Sequence, residues 1–311
     1  MSAVFSHLSV LLHESIDGLN IDPNGIFVDA TFGRGGHSRA ILDALGPNGQ
    51  LVAFDRDKTA IDAAAPFLAD KRFSIHHCAF ANLKVVINDL GLAGQIDGIL
   101  MDIGVSSPQL DDASRGFSFQ KDGPLDMRMD TGSGMSAAEW LNSASLEEIA
   151  KVIKQYGEEK FGTRIAHAVL EQRAIKPLET TAEFAHLIDQ AVPVKDKFKH
   201  PATRAFQGVR IFINGELKQL ELGLQVGVDV LKPKGRLAVI SFHSLEDRMV
   251  KRFIKTQSQG KQYPSKLPVP QDVLDQGKIL KPIGKAIKPS ADEIKANPRA
   301  RSSVLRVAEK L

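Results

Sequence analysis

The stretch FVDATFGRGGHS occupies residues 27–38 and decides how the first half of the chain folds. An apolar run ends in an acid here and then opens into three glycines, Gly33, Gly35 and Gly36, before a helical pattern begins. Glycines between a strand and a helix let the backbone turn sharply and approach a ligand closely. The N-terminus of the following helix offers free N–H groups to an anion. We therefore expect this turn to bind a nucleotide-like ligand.

Strand and helix patterns alternate on both sides of this turn. Such alternation predicts βαβ units with a parallel sheet. The strand pattern returns near the C-terminus, after a long interruption. The predicted strands are residues 26–31, 50–57, 73–80, 96–104 and 236–243 and the segment SSVLRVAE at 302–309.

The middle of the chain departs from this alternation. Residues 106–135 are rich in Ser, Asp, Gly and Pro, and residues 136–192 have helical patterns only. The sequence therefore predicts an α/β fold, a Rossmann-like sheet domain with an inserted helical domain. The sheet domain is expected to comprise residues 1–104 and 210–311, and residues 105–209 are expected to form a helical substrate-recognition domain.

Composition excludes several classes of protein. Of the 311 residues, 43% are hydrophobic and 25% are charged, which is typical of a globular protein. The single cysteine, Cys78, rules out an internal disulfide and argues against a cysteine-based metal site, so we expect no metal. No apolar run approaches the length of about 18 residues that a membrane span needs, and no signal-peptide pattern occurs. These features predict a cytoplasmic protein without a membrane partner.

Positive charge is concentrated in the last fifth of the chain. From Lys251 onward there are 14 Lys and Arg residues against 5 Asp and Glu residues. Clustered basic residues indicate a surface that binds nucleic acid, although a solvated tail is the alternative. The stretch KDKFKHPATR at 195–204 has the same character, with an interdomain linker as the alternative. Its candidate RNA contacts are Lys195, Lys197, Lys199 and Arg204.

Three interpretations of the glycine loop remain open. A P-loop is excluded, because no Lys follows the glycines. The dinucleotide pattern G-x-G-x-x-G is met incompletely, since Ser38 takes the last place. The S-adenosylmethionine (SAM) pattern D/E-x-G-x-G-x-G matches at Asp29, Gly33 and Gly35, and Thr31 replaces its first glycine. A purely structural turn is the third interpretation.

Two further residues are candidates for the nucleoside part of the ligand. Asp55 ends the second predicted strand, where a carboxylate can accept hydrogen bonds from both hydroxyls of a ribose. Its alternative role is to cap the strand or the next helix. Phe80 ends the third predicted strand and is expected to lie against an adenine, with core packing as the alternative. NAD and SAM share an adenosine, so these residues do not separate them.

The fourth predicted strand favours SAM and an amino-group substrate. It ends in Asp102 and runs into Ser106, Ser107 and Pro108. Methyltransferases that act on amino groups place a polar residue, two prolines and an aromatic here; this chain keeps a polar residue and one proline. The first candidates for holding the target amine are Asp102, Ser106, Ser107 and Pro108. His243 is a second catalytic candidate, with a satisfied strand-end histidine as the alternative.

Longer motifs give the sequence a specific resemblance. They include DGILMDIGVSSPQLDDASRGFSFQKDGPLDMRMD, KHPATRAFQGVRIFIN and GRLAVISFHSLEDRMVKRF. Together they resemble the MraW (RsmH) family of ribosomal RNA small subunit methyltransferases, from about residue 7 to residue 309.

The resemblance implies SAM-dependent methylation of the N4 amino group of one cytidine in 16S rRNA, in the decoding region of the small ribosomal subunit. The target base would have to leave its stack to react. Rival interpretations are a DNA amino-methyltransferase, an NAD-dependent oxidoreductase and a non-catalytic RNA-binding protein. The SAM contacts that the resemblance implies are Gly35, Gly36, His37, Asp55, Phe80, Asp102 and Gln109.

Overall fold

The computed structural model contains two compact units. The first comprises the described residues up to Gly104 together with Lys218–Leu311, and the second is Val105–Leu217. The structure describes residues 9–194, 196, 200–260, 270, 273 and 275–311.

The second boundary falls later than the position expected from the sequence, residue 210. The reason is that the helix Ala202–Ile213 continues across this position. Its buried residues, Ala205, Phe206 and Val209, belong to the hydrophobic core of the helical unit. Dividing the chain at residue 210 would therefore split a helix from the core against which it packs.

The first unit, here called the sheet unit, is built on one seven-stranded sheet within the described residues. The strand order is β3-β2-β1-β4-β5-β7-β6. Strands β1 to β5 pair in parallel, whereas β7 is antiparallel to both β5 and β6. The predicted fold class is confirmed. The strands are β1 (Ile26–Asp29), β2 (Gln50–Asp55), β3 (Phe73–His77), β4 (Ile96–Asp102), β5 (Leu231–Ser241), β6 (Leu280–Ile287) and β7 (Val304–Lys310).

Several predicted strands continue past the point where the sheet ends. The segments after Asp29, Asp55 and Asp102 leave the sheet and become loops. The edge strand β6 was not predicted from the sequence. Its sequence, LKPIGKAI, contains Pro282 and Gly284, two residues that are depleted in strands.

Both faces of the sheet are buried, which keeps the strand ends rigid. Consecutive residues of β1 belong to different hydrophobic clusters, Phe27 on one face of the sheet and Val28 on the other. Such burial on both faces is typical of parallel sheets covered by helices. The helices of this unit are α1 (Leu12–Leu19), α2 (Gly36–Ala44), α3 (Lys58–Ala63), α4 (Leu83–Asp89), α11 (Glu216–Val230), α12 (Ser244–Ser258) and α13 (Ala291–Ala296), of which α11 begins at the unit boundary.

The second unit, here called the helical unit, has its own core around Trp140, Ile165 and Phe184. None of the helices in the described parts of the chain is long and apolar enough to span a membrane. The helices of this unit are α5 (Ser107–Asp111), α6 (Ala137–Ser143), α7 (Leu146–Gln155), α8 (Gly162–Ile175), α9 (Thr181–Ala191) and α10 (Ala202–Ile213).

The motif RGFSFQKDGPLDMRMD forms a loop that buried side chains hold in place. The guanidinium of Arg115 donates to the backbone carbonyls of Arg128 and Met129, at 3.0 and 2.9 Å. Asn214 accepts the N–H of Met129 at 2.8 Å and donates to the carbonyl of Met127 at 2.7 Å. These side chains satisfy backbone groups that a helix or strand would otherwise pair.

Candidate active site

The carboxyl ends of three neighbouring parallel strands bring three aspartates to one edge of the sheet. Asp29 ends β1, Asp55 ends β2 and Asp102 ends β4. Asp29 is in register with Ala53 and Leu100, so the other two aspartates each lie two residues beyond its level. Open α/β sheets bind their ligands at this edge. The candidate active site therefore lies here, in the sheet unit.

The glycine turn after β1 has a conformation that a side chain would disturb. Gly33 and Gly35 both have left-handed backbones, with φ of +58° and +76°. A Cβ atom added to Gly35 would lie 2.5 Å from the ring of Phe67 and 2.7 Å from that of Phe32. The space around Gly33 is open, and only its backbone conformation requires glycine. The turn therefore packs closely against two aromatic rings at Gly35.

The N-terminal segment packs against the start of α2. A Cβ atom on Gly36 would lie 1.9 Å from the hydroxyl of Ser9. His37 is only 6% exposed, and its Nε2 lies 3.1 Å from the carbonyl oxygen of Val10. Because a carbonyl only accepts hydrogen bonds, we assign a proton to Nε2. Nδ1 then points toward Asp102, whose Oδ2 is 3.7 Å away.

Asp29 joins the end of β1 to the first turn of α2. It is 1% exposed; Oδ1 accepts the N–H of Thr31 at 3.1 Å, and Oδ2 accepts the hydroxyl of Ser38 at 2.6 Å. Burial raises the pKa of Asp29 to about 6, and the two hydrogen bonds oppose that increase. The buried carboxylate therefore fixes the two ends of the glycine loop.

Asp55 is oriented by the loops on either side of it. Its Oδ2 accepts the N–H of Gly33 and its Oδ1 accepts that of Asp57, both at 2.8 Å. Burial raises the pKa of Asp55 to about 6, although both hydrogen bonds lower it. Each oxygen has a second lone pair with which to accept a hydroxyl. Asp57, rather than Asp55, caps α3 by accepting the N–H of Thr59 at 2.9 Å.

Thr31 takes part in the site in a way that the sequence pattern missed. It stands where the SAM motif has its first glycine, and its hydroxyl accepts the backbone N–H of Asp102 at 2.7 Å. This hydrogen bond ties the glycine loop to the end of β4. The pairing spans 71 residues of sequence, so no local pattern could have revealed it.

Asp102 retains an unused acceptor. Its Oδ1 is buried and has no hydrogen-bond partner in the part of the chain that the structure describes. Burial raises the pKa of Asp102 to about 6; His37 lowers this pKa, and Asp29 and Glu246 raise it. Buried polar atoms are rarely left without a partner, so this oxygen is available to a ligand N–H or O–H group.

Phe80 lies in a different element from the one predicted. β3 ends at His77, and Phe80 begins the 3₁₀ turn Phe80–Asn82. Its half-buried ring lies against Gly223 of α11, where an added Cβ atom would be 2.4 Å from the ring. The glycine therefore makes room for the ring. Contact with an adenine remains a prediction for this side chain.

His243 lies beyond the end of its predicted strand and caps α12. β5 ends at Ser241, and His243 Nδ1 accepts the N–H of Glu246 at 3.4 Å. The buried Glu246 accepts the N–H groups of Phe242 and His243 in return, and its Oε1 lies 2.9 Å from His243 Nε2. Nδ1 is therefore satisfied as a helix cap, whereas the buried Nε2 makes no hydrogen bond within the described residues, so the alternative of a satisfied histidine is met only in part. The catalytic role of His243 stays a prediction.

Four candidate residues begin the helical unit. Ser106 is the N-cap of α5, and Ser107 and Pro108 open its first turn. Gln109 is 7% exposed, and its Oε1 accepts the N–H of Ser106 at 2.9 Å. One function of Gln109 is therefore to cap this helix. Contacts of these residues with SAM or with the target amine remain predictions.

The predicted RNA contacts are only partly within the structure. Lys195, Lys197 and Lys199 lie outside the described residues. Arg204 is exposed on α10, and its nearest carboxylate oxygen, on the buried Glu159, is 3.9 Å away. Such a long ion pair leaves the guanidinium accessible.

Comparison with known proteins now identifies the family. A model of the family described as MraW methylase matches residues 4–311. The chain belongs to the MraW methylase family.

Similar proteins cover almost the whole chain. A protein of Alteromonas mediterranea is 65% identical over 99% of this chain and 98% of its own length. A protein of Pseudoalteromonas atlantica is 61% identical over 98% of both chains, and one of Shewanella loihica is 58% identical over 100% of this chain and 99% of its own. Each is named ribosomal RNA small subunit methyltransferase H. The family and the methyltransferase class predicted from the sequence are confirmed.

Proposed function

We propose that this MraW methylase transfers a methyl group from SAM to the N4 amino group of a cytidine in 16S rRNA. The substrate is rRNA within the small ribosomal subunit, and the reaction takes place in the cytoplasm. The observation that carries the proposal is the family match over residues 4–311, with relatives of the same length that are named for this RNA.

The residues at the sheet edge fit SAM. The glycine turn keeps its backbone conformation because a Cβ atom at Gly35 or Gly36 would clash with the packed side chains of Phe32, Phe67 or Ser9. Asp55 accepts the ribose hydroxyls through the lone pairs that Gly33 and Asp57 leave free. The first turn of α2 presents its N–H groups to the methionine carboxylate. When bound, SAM supplies an activated methyl group on its sulfonium, so the protein mainly aligns the reactants.

Asp102 is the acceptor available to an amino group. Its buried Oδ1 lacks a partner within the described residues, and an ionised carboxylate accepts from amine N–H groups. Two amino groups suit it, that of the methionine part of SAM and that of the target cytosine. In Asp102→Asn, a loss of SAM affinity indicates the first. Unchanged SAM affinity with slower turnover at saturating SAM indicates the second.

Mapping of the product tests the proposal. Small subunits that lack the modification are incubated with the protein and SAM, and the rRNA is digested and analysed by mass spectrometry. We expect one new methyl group on the N4 atom of a single cytidine, and much less of it with Asp55→Ala at a SAM concentration near the wild-type Kd. Methylation of DNA instead, or no transfer to rRNA, would contradict the proposal.

A further inference from the structure

A basic connection between β6 and β7 lies at the same sheet edge as the candidate active site. β6 ends at Ile287, which is in register with Leu305, and β7 begins at Val304 opposite Ser241, the last residue of β5. The intervening residues, 288–303, therefore start and end at the edge of the sheet where the parallel strands have their carboxyl ends. Both the connection and the site belong to the sheet unit.

A second observation brings this connection close to the glycine turn. Glu293, in the first turn of α13, accepts the backbone N–H of Leu11 at 2.7 Å. The preceding residue, Val10, accepts from His37 at the start of α2. Two hydrogen bonds through the N-terminal segment thus link the connection to the cofactor loop. The connection is held beside the site rather than projecting away from it.

The exposed charges of this connection are mainly positive. The connection has four exposed basic residues, Lys288, Lys295, Arg299 and Arg301. Its two acids are Glu293 and the exposed Asp292, and the carboxylate of Glu293 accepts the N–H of Leu11. Within the described parts of the chain, Lys288, Lys295 and Arg301 form no ion pair. Lysines on a sheet edge often serve to prevent aggregation. That explanation suits Lys285, which lies in β6 itself, but not three residues that lie outside the strand.

We propose that Lys288, Lys295 and Arg301 bind the phosphate backbone of the rRNA strand that carries the target nucleotide. These three residues are called the β6–β7 basic surface. The inference rests on the proposed function, because it assigns that RNA a docking surface. Neighbouring strands are about 4.8 Å apart, so β6 lies about 14 Å from β4 along the sheet edge. A few nucleotides span that distance, which lets the flanking phosphates stay bound while the target base reaches the site.

Charge removal with a matched control tests the inference. The test variant is Lys288→Gln, Lys295→Gln and Arg301→Gln, and the control is Lys71→Gln, Lys234→Gln and Lys281→Gln. The control removes the same charge from exposed lysines toward the amino ends of β3, β5 and β6. Binding to unmodified small subunits is measured from about 50 to 200 mM salt. SAM affinity, measured by calorimetry, reports whether the cofactor site is intact.

We expect the test variant to bind subunits at least about tenfold more weakly. The slope of the logarithm of its binding constant against the logarithm of the salt concentration should be smaller in magnitude by about 2. Its SAM affinity should equal that of the wild type. The control should bind like the wild type. Equal losses in both variants, or unchanged binding by the test variant, would overturn the inference. The single variant Lys288→Glu provides a second test, since charge reversal should weaken RNA binding more than Lys288→Gln.

The wild-type protein separates this inference from the proposed function. Its methylation of the same subunits is mapped in parallel. Methylation of rRNA by the wild type, with unchanged binding by the test variant, overturns only the β6–β7 basic surface. Failure of the wild type to methylate rRNA overturns the proposed function and this inference together.

Discussion

Three acids at the edge of the sheet and two acids at helix starts in the helical unit have opposite environments. At the sheet edge, burial raises the pKa of Asp29, Asp55 and Asp102 to about 6 in each case. These carboxylates lie where the parallel strands end; Asp29 is fully buried, and Asp55 and Asp102 are partly buried. Their ionised forms are destabilised, which is a common property of functional sites.

Two acids of the helical unit stabilise the starts of helices. Glu139 and Glu148 accept the backbone N–H groups of Ser136 and Ser145, and these hydrogen bonds lower the pKa of both glutamates. Both pairs are capping boxes. The same carboxylate group thus has a raised pKa at the candidate site and a lowered pKa at a capped helix start, because burial dominates in the first case and backbone hydrogen bonds in the second.

The largest effect is expected from Gly35→Ala, which would break the sheet-edge site. The alanine would have a φ of +76° and would contact two phenylalanine rings, so we expect the free energy of unfolding to fall by about 3 kcal/mol or more. The control is Gly94→Ala, with a φ of +72° and open space around its Cβ atom. It should lose only about 1 kcal/mol. Urea unfolding measures both, and equal losses would contradict the packing argument.

The next effect concerns ligand binding alone. Asp55→Ala should weaken SAM binding by about 100-fold, because two hydrogen bonds to a charged acceptor are lost. Isothermal titration calorimetry measures the affinity. Asp62→Ala is the matched control, since this exposed acid lies on α3 and its ion pair within the described residues is with Lys58. Tight SAM binding by Asp55→Ala would remove Asp55 from the site.

The raised pKa of Asp29 predicts a pH effect on stability. A carboxyl whose pKa is raised on folding favours the folded state below pH 4, and this advantage is lost as the pH rises through about 6. As the pH rises from about 4.5 to about 7.5, the free energy of unfolding of Asp29→Asn should therefore increase by about 2 kcal/mol relative to that of the wild type. Unfolding by urea at several pH values measures the difference. A pH-independent difference would show that burial does not perturb Asp29.

Glu148 provides the opposite case for the same measurement. Its pKa is lowered on folding, so its contribution to stability is present above the unfolded pKa and is lost as the pH falls through the folded pKa. Relative to the wild type, Glu148→Gln should therefore lose stability as the pH rises into the neutral range.

The smallest effect is expected in the helical unit. Ser145→Ala removes the N-cap of α7 and should cost about 1 kcal/mol of unfolding free energy. SAM affinity should stay at the wild-type value, because the cap has no part in the cofactor site. Thermal unfolding and calorimetry together check this prediction. A change in SAM affinity would contradict the separation between the acids of the two units.

Most of the sheet could be predicted from the sequence, because its strands and helices have strong local patterns. β6 escaped prediction, since a strand with Pro282 and Gly284 forms only when β7 is available to pair with it. The predicted C-terminal ends of β1, β2, β3, β4 and β5 each lie two or three residues beyond the observed ends. The apolar pattern continues past the last ladder hydrogen bond, and only pairing partners decide where a strand stops.

The candidate site divides in the same way. The glycine turn and Asp55 could be found from the sequence, because a turn needs glycine locally and a strand end places its acid at a known edge. The hydrogen bonds from Asp102 to Thr31 and from Leu11 to Glu293 could not. They join residues that are distant in sequence, and no residue type demands such a partner.

The fold class, the family and the position of the glycine turn could be inferred from the order of the residues alone. These depend on short-range periodicity and on motifs that keep their spacing. The folded chain was needed to show which acids are buried, which acceptor lacks a partner among the described residues, and which basic residues lie at the same sheet edge as the candidate site. Burial, hydrogen bonding and surface proximity depend on contacts between segments that are distant in sequence, and strand pairing and core packing set those contacts.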